Sequence, residues 1–321
     1  MLFDETKKAL QAEACFLTDG GTETSLIYQD GFDLPFFASC YLLNDEKGYQ
    51  GLKRYYRRYL EIAARYHVGF ILESPTWRAN PDWLGKLGYE ETAILSVNKK
   101  AIDLMLELKK EFENRIPQIM ISGCIGPRGD GYKPGDLMTI DEAANYHSHQ
   151  LKVLKDTPVN MVTAITMNYL EEAAGIVKAA AVFGLPVVIS FTLETDGRLV
   201  TGTTLQQAIA DVDACCDKPP LYFMINCAHP THFLNQLEEG DNSSWIKRIG
   251  GVRANASCKS HAELDEATEL DSGDPRALGS EHLILKKLLP NLKVFGGCCG
   301  TDERHVQAIA EHLTQHSLQA I

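Results

Sequence analysis

Short apolar runs rich in β-branched residues alternate along the chain with longer stretches whose apolar positions recur at helical spacing, and the alternation holds from one end to the other. Eight runs read as strands: 16–19, 69–73, 119–123, 161–165, 186–191, 221–227, 249–254 and 293–297. Helices are predicted between them. Val97, Ala101, Leu104, Leu108 and Phe112 form one apolar stripe, and Val306, Ile309, Ala310 and Leu313 another. Thr139 followed three residues later by Glu142 reads as a capping box that opens a helix to about residue 155.

Near-continuous apolar strands such as Pro-Val-Val-Ile-Ser-Phe at 186–191 fit a parallel sheet covered on both faces. Eight βα units in a chain of this length predict a (β/α)8 TIM barrel. The rival, a doubly wound open sheet, would normally carry a nucleotide-type glycine fingerprint after its first strand, and Thr-Asp-Gly-Gly-Thr-Glu-Thr-Ser at 18–25 is not one. No repeat, low-complexity tract or Pro/Ser-rich linker marks a boundary, so residues 1–321 are expected to form a single domain. The glycine- and proline-rich loop 126–136 is long, expected to be mobile, and placed to serve as a lid.

Charge narrows the partners. The 321 residues carry 31 Lys plus Arg against 43 Asp plus Glu, a formal net charge of -12, which argues against nucleic acid and anionic membranes because phosphate recognition needs a basic footprint. A small neutral or cationic substrate is expected. The longest apolar candidate, 179–191, is broken by Gly184 and Pro186 and falls short of the roughly 20 residues a bilayer requires. The first residues are too charged for a secretory signal, so a cytoplasmic protein is expected, and the sequons at Asn242 and Asn255 read as chance matches. Nine cysteines, an odd number without a secretory signal, point to free thiols or metal ligands over a disulfide framework.

In such barrels the active site is built from the carboxyl ends of the strands. Here those ends are polar and sulfur-rich: Asp19-Gly20-Gly21, Glu73-Ser74, Gly123-Cys124, Ser190-Phe191-Thr192, Asn226-Cys227, Asn255 and Gly297-Cys298-Cys299-Gly300. Cys227 and the Cys298–Cys299 pair fall at the ends of strands six and eight, close enough around the rim to converge on one ion. Successive strand residues face opposite ways, so two adjacent cysteines can share a metal only where the backbone turns, and Gly296, Gly297 and Gly300 are expected to permit that. Three protein ligands leave the fourth tetrahedral position of Zn²⁺ open, the pattern of a catalytic site. A thiol bound there would be deprotonated, which is chemistry for alkylating sulfur at neutral pH. Three other readings stay open at this stage: inert buried cysteines, a Cys298–Cys299 disulfide, and activation of water.

Asp19 and Glu73 would add negative charge suited to an α-ammonium group or a cationic methyl donor, with a turn role for Asp19 and a capping or ion-pair role for Glu73 as the alternatives. Gly20 and Gly21 share the same rim, and Asn226 would orient a ligand cysteine or touch substrate. Among ten histidines only His229, two residues past Cys227, stands near the cluster, and a helix-start role suits it better. Cys215–Cys216 lacks flanking glycines and reads as packing. Lys53, Arg54, Arg57 and Arg58 beside Tyr55, Tyr56 and Tyr59 read as a solvated helix face with an aromatic packing edge.

With these residues in view, the chain resembles the homocysteine S-methyltransferases over essentially its whole length, through TDGGTET, ESPTW, SGCIGPRGD, SFTLETDGRL, INCAHP and GGCCGTD in that order. The resemblance implies zinc held by Cys227, Cys298 and Cys299, homocysteine sulfur as fourth ligand, and Asp19 near the acceptor's amino group. It also implies a small-molecule methyl donor, of which a sulfonium such as S-methylmethionine or S-adenosylmethionine best suits a chain without extra modules. Two positions depart from the family's pattern: Ile165 stands where an acidic residue usually helps to bind homocysteine, and Met224 stands where glycine is common. A different small thiol, demethylation of a methylated compound, and a non-catalytic metal- or thiol-responsive binding protein are the alternatives that follow.

Overall fold

The computed structural model describes residues 2–240 and 243–318; the sequon at Asn242 lies outside them. The strands are β1 (Phe16–Leu17), β2 (Gly69–Glu73), β3 (Ile119–Ile125), β4 (Met161–Met167), β5 (Val187–Phe191), β6 (Phe223–Asn226), β7 (Ile249–Ala254) and β8 (Val294–Gly297). All neighbours pair in parallel, and β1 pairs with β8 to close the ring, so the fold is the expected eight-stranded TIM barrel. Helices run outside it, including α1 (Glu46–Tyr66) after β1, α2 (Ala93–Phe112) after β2 and α3 (Ile140–Lys155) after β3. α3 opens on the Thr139–Glu142 capping box, with both reciprocal hydrogen bonds formed. No helix among the described residues is long and apolar enough to cross a membrane.

β1 is shorter than expected. Its ladder pairing stops at Leu17, after which Thr18 still donates to Phe295 O at 2.8 Å and Asp19-Gly20-Gly21 turns toward the end of β8.

The barrel interior is layered by the strand period of two. Phe16, Ile71, Met120, Met161, Val188, Met224 and Val294 form a buried plug. Two residues further along each of these strands stand Thr18, Glu73, Ser122, Thr163, Ser190, Asn226 and Gly296, with Arg253 joining them from β7. An apolar floor is thus overlaid by a polar layer. Met224 belongs to the floor and does not line the cleft above it, and the bare Cα of Gly251 makes room for its side chain. The effect expected of Met224 on the pocket is therefore corrected.

Candidate metal and substrate site

The three cysteines meet at the rim. Cys227 follows β6 with φ +52°, an uncommon left-handed conformation for a residue with a Cβ, and its N–H donates to Arg253 O at 3.2 Å. Its carbonyl accepts from His261 Nε2 at 2.7 Å and Asn255 Nδ2 at 3.1 Å. β8 ends at Gly297, and residues 298–301 form a turn in which Thr301 N–H and Thr301 Oγ1 both donate to Cys298 O, at 3.1 and 2.7 Å. The turn is what lets adjacent cysteines converge. Of the three glycines expected to supply backbone freedom, Gly300 does so with φ +79°, whereas Gly296 and Gly297 remain in the strand and matter for their size: a Cβ there would strike the Thr18 and Thr301 side chains.

The sulfurs of Cys227, Cys298 and Cys299 all lie within 4.8 Å of one another. Tetrahedral zinc with Zn–S bonds of about 2.3 Å needs sulfurs about 3.8 Å apart, so small side-chain movements suffice to seat an ion. Burial holds the Cys299 thiol above its usual value, and a divalent cation is the charge that reverses this. The donor set fits the metal. The expectation of thiols without a disulfide is corrected at one pair: Cys227 and Cys298 are joined by a disulfide, with Cα atoms 5.3 Å apart. The approach that lets two sulfurs share an ion also lets them bond to each other. Cys298 and Cys299 are not bonded to each other. Cys215 and Cys216 touch at 3.3 Å near the surface, and no third ligand joins them among the described residues.

Asp19 is buried and engaged on both oxygens. Oδ2 accepts from Tyr55 at 2.9 Å and from Thr22 at 2.9 Å, while Oδ1 lies 2.8 Å from Arg253 Nη2 as an ion pair without hydrogen-bond alignment. Gly20 lends its carbonyl to Arg253 and Tyr55, and Gly21 packs so tightly on the Cys298 carbonyl and Thr24 that a Cβ would not fit. Burial pushes the Glu73 carboxyl up to about 7 despite the nearby Arg253 guanidinium. Asn226 is fully buried: Oδ1 accepts from Ser190 at 2.6 Å and from Thr166 N–H at 3.0 Å, and Nδ2 donates to Thr166 Oγ1 at 2.9 Å with Cys298 Sγ at 3.9 Å. Thr166, a β-branched residue at φ +66°, sits where the β4–β5 register slips, a strain that the Asn226 bonds hold in place. His229 caps the short helix Pro230–His232, and burial lowers it to about 4.

Above the sulfurs lies a cleft of about 330 Å³ lined by Asp19, Glu73, Ile165, Thr166, Arg253 and all three cysteines, among others. The 126–136 loop covers one side of it. Arg78, held between the Trp77 and Trp83 rings, pairs with Asp130 at 3.2 Å, and Asn168 Nδ2 donates to the carbonyls of Asp130 and Gly131. Tyr132 then stacks on His261 with ring centroids 3.9 Å apart, its hydroxyl 3.6 Å from Cys299 Sγ.

Arg253, Tyr55, Tyr132 and His261 were not legible as site residues in the sequence. Tyr55 occupies the expected packing edge of α1, while its hydroxyl also reaches Asp19. The one signal for Arg253 is its place within the seventh strand, two residues before Asn255 and so on the same face.

Comparison with known proteins agrees with this geometry. The family model described as homocysteine S-methyltransferase matches residues 16–313. A selenocysteine Se-methyltransferase of Brassica oleracea var. italica is 24% identical, covering 92% of this chain and 88% of its own length. Homocysteine S-methyltransferase 1 of Arabidopsis thaliana is 23% identical, covering 93% of each chain. Among solved structures, the Escherichia coli homocysteine methyltransferase MmuM superposes in its metallated form with a TM-score of 0.73 at 16% identity over 95% of this chain and 98% of that one. Its oxidized form gives 0.74 at 17% identity over 95% and 99%. With the barrel, the rim cysteines and a family match across nearly the whole chain, this protein belongs to the homocysteine S-methyltransferase family.

Proposed function

We propose that this chain is a zinc-dependent S-methyltransferase of the cytoplasm that moves a methyl group from a sulfonium donor, S-methylmethionine or S-adenosylmethionine, to a small thiol, with homocysteine, giving methionine, as the reference acceptor. The observation that carries the reading is the meeting of three cysteine sulfurs within 4.8 Å at the foot of a cleft. Cys227, Cys298 and Cys299 would hold the ion. When bound, zinc supplies a positive charge that keeps an acceptor thiol deprotonated at neutral pH. The acceptor sulfur then forms a bond to the donor's methyl carbon as the donor's C–S bond breaks, its electron pair staying on the departing neutral thioether.

The chain's own groups position the reactants. Asn226 and Tyr132 each bring a polar donor to a ligand sulfur, at 3.9 and 3.6 Å. The Tyr132–His261 stack stands beside the sulfurs, His261 Nε2 meeting the Cys227 carbonyl at 2.7 Å. Asp265, Glu269 and Asp271 line the outer part of the cleft and suit a cationic donor. Ile165 on the cleft wall favours a second reading, in which the acceptor is a thiol other than homocysteine. The Cys227–Cys298 disulfide likewise gives the non-catalytic, thiol-responsive reading a physical basis.

The test combines elemental analysis of reduced protein with a methyl-transfer assay using S-methylmethionine and a panel of thiols. Stoichiometric zinc and product, both abolished in Cys298→Ala, are expected. Undiminished turnover in that variant or after complete chelation would falsify the proposal, and reversible oxidation without transfer to any thiol would favour the binding protein.

A further inference from the structure

Away from the cleft the chain carries a second pair of adjacent sulfurs. Cys215 caps the helix Leu205–Ala214, its N–H donating to Asp211 O and Val212 O, and the chain beyond Cys216 is kept from continuing as helix by Pro219 and Pro220. The Cys215 thiol donates to Val212 O at 3.1 Å, which leaves its sulfur to accept from the Cys216 thiol at 3.3 Å. Cys215 is exposed and Cys216 half-buried, and both line an open surface groove of about 910 Å³. Asp141 from the start of α3 shares that groove, as do Lys178, Ala181 and Val182 from the helix Leu170–Phe183. Lys178 is held by Asp141 at 2.6 Å, and Val182, 78% exposed, presents bare hydrocarbon. None of these residues lines the cleft above Cys227, Cys298 and Cys299.

The spacing of the sulfurs selects among soft ligands. Tetrahedral zinc needs sulfurs about 3.8 Å apart and further protein ligands, and no third ligand joins this pair among the described residues. A linear two-coordinate ion would hold its sulfurs two bond lengths apart, about 4.6 Å at a metal–sulfur bond of about 2.3 Å. A pyramidal trivalent centre, whose bonds stand nearly perpendicular, keeps two sulfurs closer than either. Burial, with the touching Cys216 sulfur, pushes the Cys215 thiol up to about 12, which disfavours chemistry that starts from a free thiolate, disulfide exchange included. A metalloid hydroxide avoids that requirement, because its departing hydroxide takes the thiol proton as water.

We propose that Cys215 and Cys216 form a chelating site for a monosubstituted trivalent arsenical, R–As(OH)2, separate from the rim cysteines. Two As–O bonds and two S–H bonds break, two As–S bonds form, two waters leave, and arsenic stays trivalent. The second As–S bond closes within one molecule, which favours the pair over two separate thiols. With no third ligand in reach, the remaining position on arsenic keeps its carbon substituent, and the hydrocarbon of Ala181 and Val182 on the same groove suits that group.

The experiment treats the full chain, reduced with a phosphine and then freed of reductant, with phenylarsine oxide, and counts maleimide added to the peptide holding both cysteines by mass spectrometry. Cys215 and Cys216 are expected to be protected together, with alkylation restored by 2,3-dimercaptopropanol and not by excess glutathione. Cys216→Ser should leave Cys215 alkylated at its untreated rate. Arsenite should protect only at about tenfold higher concentration than phenylarsine oxide, and Val182→Asp should erase most of that difference. Unchanged alkylation of the wild-type pair in the presence of the arsenical, or release by glutathione as complete as by the dithiol, overturns the site whatever the variants do. Equal protection by arsenite overturns the monosubstituted class.

Discussion

The hydroxyl of Tyr132 lies 3.6 Å from Cys299 Sγ, joining residues 167 positions apart through a loop that is tied down by the Arg78–Asp130, Arg128–Asp82 and Lys133–Asp265 ion pairs and by the amide hydrogen bonds of Asn80 and Asn168. Removing that hydroxyl should weaken the sulfur's surroundings without disturbing the fold, because His261 still stacks on the ring. A hydrogen bond contributes about 1 kcal/mol net, or roughly a fivefold change. Tyr132→Phe is expected to lower zinc affinity and kcat/KM by about that factor while leaving Tm unchanged, as chelator competition, kinetics and calorimetry will show.

Thiol state should govern metal uptake. Two of the three ligand sulfurs are joined in the Cys227–Cys298 disulfide, which leaves Cys299 alone. Protein purified without reductant is expected to bind little zinc, and treatment with a phosphine reductant should restore about one ion per chain, read by elemental analysis. Equal zinc content in both states would contradict the shared use of these sulfurs.

The buried carboxyl on β2 should leave a signature in stability. Glu73 keeps its proton in the folded state up to about pH 7, whereas in the unfolded chain it loses it near 4.5, so the folded state binds more protons across that window. Stability from this group is therefore greatest below pH 4.5 and falls as pH rises through 7. At 1.36 kcal/mol per pH unit the loss reaches roughly 3 kcal/mol. Glu73→Gln should be more stable than wild type at pH 8 and nearly equal at pH 4.5 in urea unfolding.

Crowding at the cysteine turn gives a further prediction. A methyl at Gly297 would strike Thr301, whose hydroxyl holds the Cys298 carbonyl. Gly297→Ala is expected to cost about 1–3 kcal/mol, the usual range for overpacking, and to weaken zinc binding. Thr301→Ala, which deletes the hydroxyl that the new methyl meets first, should recover part of the stability in the double variant but not the zinc binding, because the hydrogen bond to the Cys298 carbonyl goes with it.

The barrel was legible in the sequence because period-two strands and helical stripes are local signals, and the six motif-bearing rim segments follow from the strand ends. The sulfur trio was legible because a turn-forming glycine flanks Cys299 and an Asn-Cys pair ends another strand. Arg253 was not, since its partners Gly20 and Asp19 are more than 230 positions away and its spacing from Asn255 marks a face but no partner. Tyr132 and His261 were missed for the same reason: one lies in a loop read as mobile, the other on a helix of five residues, and only the closed ring stacks them. The Asp19 environment was half legible. A carboxylate at the rim could be placed, but its neutralisation by an arginine two strands round the ring and more than 230 residues away could not.

The ring closes between β1 and β8, and Cys298 and Cys299 stand just beyond that seam. A nascent chain emerging from the ribosome therefore exposes Cys227 long before the other two sulfurs can join it. An ion held by all three sulfurs would need residues 294–297 paired with 16–17, so bound metal would report a closed ring.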